Sequence, residues 1–273
     1  MEFKVYEHAD RFLKDNKGIM TQHKYDADLL WVNAQSKKGL KEGFTGYRLE
    51  LGAVTYLAIQ NAPYPLVNYC FGGEPSVFAT VLAQYLKFSR KVPNKLSGNP
   101  DVVKALVDAF EELDIRFKQS RKMCVRVCKK QVDYKPVEGS FLNLKDIDVN
   151  LGSWLVGFNK DCKILIPIDD ATQAGIDMAE SGDYYVWMVD GKPVSMASTS
   201  RSVPGGKCVT AVYTPPKFRG KGYSSACVAE VTKIVLQDKW AFLYVDLSNP
   251  IANHIYEKLG FERMHEFVEF TKS

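Results

Sequence analysis

The apolar pattern along the chain changes period repeatedly, and each change predicts an element. Residues 3 to 15 and 23 to 35 place Phe12, Leu13, Leu29, Leu30 and Trp31 among polar positions and read as two helices. Tyr47 to Gln60 reads as paired strands and Leu66 to Phe71 as another, ending at the breaker Gly72-Gly73-Glu74-Pro75. Beyond it, Val77, Phe78, Val81, Leu82, Tyr85 and Leu86 share one helical face up to about Phe88. Pro93 to Leu96 is short and extended. Gly98-Asn99-Pro100 then predicts a capped helix to about Leu113, because Asn accepts backbone N–H bonds and Pro suits the first helical position. The alternating run Met123 to Cys128 predicts a buried strand, on which Cys124 and Cys128 stand too far apart to bridge.

A boundary is expected near Lys129-Lys130-Gln131, giving domains at 1–130 and 131–273. In the second, Val132 to Ser140 reads as a strand, and 141–159 and 169–181 as helices joined by an extended link, Ile164 to Pro167. Tyr184 to Val189 and Pro193 to Thr199 flank Asp190-Gly191 as an antiparallel hairpin. The apolar run Val209 to Tyr213 breaks at Thr214-Pro215-Pro216, and the loop Phe218 to Ser224 opens a helix whose face is Cys227, Val228, Val231, Ile234 and Val235. Phe242 to Leu247 is a further strand. Asn249-Pro250 starts a last helix with Ile251, Ile255 and Leu259 on its apolar face. The expected class is α/β with a mixed, mostly antiparallel sheet flanked by helices, in the order β–α–α–β–β–β–α–β–α–β over 131–273.

The order strand, Gly-rich turn, long helix, short strand, Asn-Pro helix occurs in both halves. Gly73 and Gly222, and Asn99 and Asn249, recur at nearly the same separation, which argues for internal duplication over chance recurrence of common turn residues. The first copy carries Glu74 in its turn, no Arg before it, and Leu106 at the offset of Tyr256.

A chain of 273 residues, 46% hydrophobic and 25% charged, suffices for packed cores. A net charge of +4 is too mild to point to nucleic acid but suits an anionic cofactor. No stretch approaches the ~20 apolar residues that cross a membrane, and the start lacks a signal-length apolar core, so a cytoplasmic protein is expected. Six scattered Cys without a Cys-x-x-Cys pair, and four His, indicate no metal. The chemistry lies instead in the loop before the long helix, where free N–H groups, the positive dipole end and the Arg219 fork favour phosphate. A nucleotide P-loop is excluded, since Gly206-Lys207 has Arg201 for the first Gly and Cys208 after the Lys. A dinucleotide fingerprint fits poorly, since Gly220-Lys221-Gly222-Tyr223-Ser224-Ser225 ends in Ser.

Arg219-x-x-Gly222-x-Ser224 resembles the Arg/Gln-x-x-Gly-x-Gly/Ala acyl-CoA pyrophosphate loop of the GNAT N-acetyltransferase superfamily, with Ser in the last small-residue slot. Asn249 followed by Tyr256-x-x-x-Gly260-Phe261 resembles the superfamily's ending. The resemblance implies two tandem GNAT-like domains, the second catalytic and the first degenerate. It implies acetyl-CoA (coenzyme A) as cosubstrate, no metal, and an amine acceptor, small molecule or peptide; it implies no oligomeric state. By the same resemblance Val212, Tyr213 and Thr214 would take the pantetheine arm as an added strand. Arg219, Gly220, Lys221, Gly222, Tyr223 and Ser224 would cradle the diphosphate. Asn249 would bond the pantetheine amide, besides its local reading as a helix N-cap. Tyr256 would protonate the leaving thiolate, a transfer about 2 kcal/mol uphill for a phenol of pKa ~10 facing a thiol of ~8.5. Asp246, at the end of its strand, is the candidate base, with a solvated or capping role as its other reading. A CoA binder without catalysis, or a Fem-type aminoacyl transferase, which also pairs two such folds, is the other class.

Overall fold

Strand and helix follow the order expected of the second half, and they do so twice. The computed structural model describes residues 1–35, 43–130, 134–164, 168–237 and 240–273. The first run is β1 (Glu2–Tyr6), α1 (Ala9–Gln22), α2 (Asp28–Ala34), β2 (Phe44–Leu51), β3 (Val54–Asn61), β4 (Leu66–Phe71), α3 (Ser76–Phe88), β5 (Lys95–Gly98), α4 (Pro100–Glu111) and β6 (Phe117–Cys128). The second is β7 (Ser140–Asn143), α5 (Gly152–Asp161), α6 (Ala171–Ser181), β8 (Tyr184–Val189), β9 (Lys192–Val203), β10 (Gly206–Tyr213), α7 (Tyr223–Leu236), β11 (Trp240–Asp246), α8 (Pro250–Lys258) and β12 (Glu262–Lys272). Both read β–α–α–β–β–β–α–β–α–β.

Packing divides the chain into a first unit, Met1–Val125 with Asp246–Ser248 and Met264–Ser273, and a second, Arg126–Val245 with Asn249–Arg263. The first crossing at 125/126 lies close to the boundary expected at 130/131. The tail differs: β12 pairs antiparallel with β5, from Val268↔Gly98 to Thr271↔Lys95, and so completes the first unit. A four-residue strand needs a partner on each side, and the buried Val268 supplies one that no local pattern reveals.

In the first unit the strands lie in the order β1-β2-β3-β4-β5-β12-β6, and in the second β11-β10-β9-β8-β7. Each sheet is mixed: β4–β5 and β10–β11 are parallel, while β1–β2, β2–β3, β3–β4, β5–β12, β7–β8, β8–β9 and β9–β10 are antiparallel. On one face of the first sheet α3 and α4 bury Phe78, Leu82, Leu86, Leu106 and Phe110 against Tyr47, Tyr56, Leu66 and Leu96. Gly46, the neighbour of Tyr47, faces the other way and admits the ring of Phe12 from α1. In the second unit Leu144, Leu151, Met178, Val186 and Met196 form a core on which Trp154, Leu155 and Tyr213 pack.

Several expected elements shift. Residues 3 to 6 form the edge strand β1 instead of opening a helix, pairing from Glu2↔Glu50 to Tyr6↔Gly46. Residues 141–151 hold no α-helix: β7 and a 3-10 helix at Leu144–Asp146 come first, and α5 starts only at Gly152, whose N–H donates to Asn150 Oδ1 at 3.0 Å. The strand expected from Val132 starts at Ser140; residues 131–133, and 165–167 of the expected extended link, lie outside the described residues. Val77 and Ile251, expected on apolar faces, are 56% and 73% exposed. The caps hold: Asn99 Oδ1 accepts from Asp101 N–H at 3.1 Å, with Pro100 at the first helical position. Cys124 and Cys128 form no disulfide and are buried on β6.

Gly98 sits where β5 ends, at φ 144°, and an added Cβ would lie 2.2 Å from Asn68 O across the parallel ladder. Gly98→Ala is therefore expected to cost about 3 kcal/mol in urea unfolding, from backbone strain plus overpacking. A loss below about 1 kcal/mol would mean that the ladder yields there.

Candidate functional site

Two irregularities on β10 open a wedge in the second sheet. Toward β9 the register runs to Thr210↔Ser198 and resumes at Tyr213↔Met196, so Ala211 and Val212 oppose a single residue, a β-bulge. Ala211 holds φ 47°, a left-handed conformation that costs a non-glycine residue about 1–2 kcal/mol. Toward β11 the parallel ladder runs only from Gly206↔Trp240 to Cys208↔Phe242. Beyond it Val209 to Tyr213 part from β11, leaving a sheet edge able to pair with an extended ligand. Val212, Tyr213 and Thr214 are half-buried at its end, and Ser195 Oγ lies 2.8 Å from Thr214 Oγ1.

The loop after β10 leads to a helix start without a side-chain cap. Gly220 and Gly222 hold φ 78° and 85°, and Gly222 is the N-cap of α7. The first bond into the helix runs from Ala226 N–H to Gly222 O at 3.1 Å, so the N–H groups of Tyr223, Ser224 and Ser225 precede the intrahelical ladder. Nothing lies within 4 Å of a Cβ built on Gly220, while one on Gly222 would meet a Val137 methyl at 3.0 Å. Lys221 is exposed. Arg219 donates from Nε to Thr214 O at 2.8 Å and from Nη2 to Asp161 Oδ2 at 2.6 Å, with its guanidinium 5.9 Å from the Tyr213 ring centre. Asp161 ends α5, which also sets Trp154 edge-on to Tyr213 at 6.1 Å and Gly157 so close that a Cβ would touch the Tyr213 hydroxyl.

Helix α8 fixes the remaining pair. Asn249 Oδ1 accepts from Ala252 N–H at 3.1 Å, so the N-cap reading of Asn249 holds. At the far end Gly260 turns left-handed at φ 78°, Phe261 N–H bonds Tyr256 O at 2.9 Å and Gly260 N–H bonds Glu257 O at 3.0 Å, a Schellman closure. Phe261 is buried and meets the Tyr256 ring at 6.0 Å, and Arg126 Nη1 donates to Phe261 O at 3.0 Å. Burial pushes the Tyr256 phenol above its ordinary pKa, with the Cys162 and Cys208 thiols adding to the effect. Tyr256 is thus a neutral phenol at physiological pH. Asp246 packs with the first unit, and its Oδ1 accepts from Ser248 N–H at 2.8 Å and Ser248 Oγ–H at 2.6 Å, closing the turn after β11.

The model of the FR47-like protein family matches residues 185–269, which hold the wedge, the loop and α8. A GNAT-family acetyltransferase from Colwellia psychrerythraea aligns over 100% of both chains at TM-score 0.58 and 14% identity. A GCN5-related N-acetyltransferase from Kribbella flavida aligns over 92% of this chain and 94% of its own at TM-score 0.59 and 15% identity. A tandem GNAT protein of the clavulanic acid biosynthesis pathway aligns over 99% and 98% at TM-score 0.52 and 10% identity. The chain has the GNAT fold. A search of curated protein sequences finds no match. The GNAT fold gathers Val212 to Thr214, Arg219 to Ser224, Asn249 and Tyr256 into one unit and leaves Asp246 in the other. It also brings in Ala211, Asp161, Trp154 and Ser195, which sequence reasoning missed. Asp161 left a faint signal, an acid in the last turn of a helix, where it opposes the dipole unless a cation pairs with it.

The raised Tyr256 pKa carries a sign for stability. Below pH ~10 both folded and unfolded chains keep the phenol protonated; above it the unfolded chain ionises first, so stability falls as pH rises. Urea unfolding between pH 9 and 11 is expected to show a shallower alkaline loss in Tyr256→Phe than in the wild type. An identical slope would mean that Tyr256 titrates as in the unfolded chain.

Proposed function

We propose that the second unit is an acetyl-CoA-dependent N-acetyltransferase centre that passes an acetyl (acyl) group to the amine of a small molecule or peptide. The observation that carries this reading is the meeting, in one unit, of a splayed β10, a glycine-led helix start without a side-chain cap, and the half-buried neutral phenol of Tyr256. Acetyl-CoA supplies the activated acyl thioester. The backbone of Val212 to Thr214 would pair with the pantetheine arm. The N–H groups at the start of α7, with Arg219 and Lys221, would hold the diphosphate, and open space at Gly220 suits that fit. Arg219 then exchanges its ion pair with Asp161 for phosphate, a charge-for-charge swap at the surface. Asn249 orients α8, which sets the Tyr256 hydroxyl to donate its proton to the departing thiolate.

The acceptor amine, at pKa ~10.4, is neutral in about one part in 2,500 at pH 7, a cost near 4.6 kcal/mol that a base offsets. Asp246 enters the proposal as that base from its position at the end of β11. The first unit is proposed as a degenerate copy without CoA chemistry. Residues 72–75 alone link β4 to α3 there, Glu74 is exposed in that turn, and Leu106 is fully buried in the core at the offset of Tyr256.

Steady-state kinetics over an amine panel, paired with CoA affinity, test the assignment. Tyr256→Phe is expected to lower kcat about 100-fold while CoA Kd moves less than about threefold. Asp246→Asn is expected to remove the acidic limb of the rate–pH profile. Equal losses in kcat and affinity would make Tyr256 a packing residue, and an unchanged profile would leave Asp246 as the turn residue alone. CoA binding without thiol release on any amine would favour the non-catalytic reading.

A further inference from the structure

Arg219 is held by the chain much as a substrate cation would be held. Its Nη2 donates to Asp161 Oδ2 at 2.6 Å, its Nε donates to Thr214 O at 2.8 Å, and its guanidinium lies 5.9 Å from the centre of the Tyr213 ring. A carboxylate, a carbonyl and a ring face are the groups that recognise organic cations. The ring is itself fixed in place. Trp154 meets it edge-on at 6.1 Å, a Cβ on Gly157 would lie 2.4 Å from its hydroxyl oxygen, and Tyr213 packs on the core of the second unit. Asp161 is the last residue of the ten-residue helix α5, so its charge adds to the negative end of the helix dipole.

The pair is built to be exchanged. Its two side chains are 49% and 47% exposed, and an ion pair in that setting is weak. A diphosphate carries more negative charge than one carboxylate, so phosphate at the start of α7 would draw Arg219 off Asp161. That turn has two consequences. Thr214 O loses its donor and becomes available to the pantetheine arm. Asp161 is left at a helix C-terminus without its cation, beside the position that the guanidinium held near the Tyr213 ring. A carboxylate at the negative end of a helix is stabilised by a replacement cation.

The acceptor supplies such a cation. An amine of pKa ~10.4 reaches the protein at pH 7 almost entirely as its ammonium form. The ammonium donors match the carboxylate, which only accepts, and the charge beside its carbon suits the ring face. A hard divalent ion asks for about six or more oxygen ligands, which one carboxylate beside an aromatic ring does not provide. The guanidinium now seated there shows that the position takes a nitrogen cation attached to carbon.

We propose that Asp161 and the Tyr213 ring form the docking site for the acceptor's ammonium group, a site that Arg219 fills until the CoA diphosphate takes its guanidinium. This inference rests on the acyl-transfer reading above. It makes CoA and the ammonium each raise the affinity of the other. Calorimetric titration of the full-length chain with CoA, in methylammonium chloride or in sodium chloride at equal ionic strength, tests it. In the wild type, methylammonium is expected to tighten CoA binding at least about threefold over sodium. Asp161→Asn keeps the side-chain shape and removes the charge at a half-exposed position, so the variant should fold with a melting temperature within a few degrees of wild type. It is expected to bind CoA about two- to fivefold more tightly in sodium chloride, since nothing then competes for Arg219, and to lose the response to methylammonium. A wild type that binds no CoA would sink the acyl-transfer reading and this inference with it. CoA binding that is equal in the two salts, or an Asp161→Asn variant that fails to tighten it or still responds to methylammonium, would overturn the docking site and leave the CoA reading standing.

Discussion

A parallel strand pair that ends after three residue pairs governs both halves of this chain. In each, the second strand stops at the same kind of device: β5 gives way to a helix capped by Asn99 and begun by Pro100, and β11 leads to one capped by Asn249 and begun by Pro250. In the first half β4 continues beyond the end of β5, while in the second β10 and β11 both continue past their last pair and part. Backbone groups left unpaired in a sheet interior are costly unless water, side chains or a ligand take them. A wedge thus opens in the first half where β5 ends and in the second where β10 parts from β11.

The turns that follow the two wedges differ in length and charge. In the second, the bulge at Ala211 turns β10 away from its neighbours, and residues 214–222 provide room for a glycine-led approach to α7 with Arg219 at its side. In the first, residues 72–75 leave no room for such a loop, and Glu74 stands exposed in that turn. At ~6 Å and an effective dielectric near 20, a carboxylate and a phosphate repel by about 3 kcal/mol, enough to lower affinity about a hundredfold. The position of Tyr256 is taken by Leu106, which serves the core.

What was legible in the sequence was local. Period-3.6 and period-2 stripes gave α3, α4, α7 and most strands, Asn-Pro pairs gave both caps, and Gly220 and Gly222 marked left-handed turns that the backbone adopts. What was hidden depends on distant partners. Residues 3 to 6 are a strand because β2 offers an edge, and residues 141–151 avoid helix because β8 pairs with β7. The place of β12 beside β5 joins residues some 170 apart, beyond the reach of any periodicity. The bulge at Ala211 was invisible because alanine is among the residues least suited to a left-handed backbone. The partner of Arg219, Asp161, became apparent only once α5 lay against the end of β10.

The central claim is that the wedge and loop of the second unit, and no other part of the chain, bind the diphosphate and arm of coenzyme A. Calorimetric titration of the full-length protein with CoA, wild type beside Gly222→Asp, addresses it directly. One CoA per chain, lost in Gly222→Asp as a carboxylate enters the diphosphate position, is the predicted result. A stoichiometry of two, or undiminished affinity in Gly222→Asp, would contradict it.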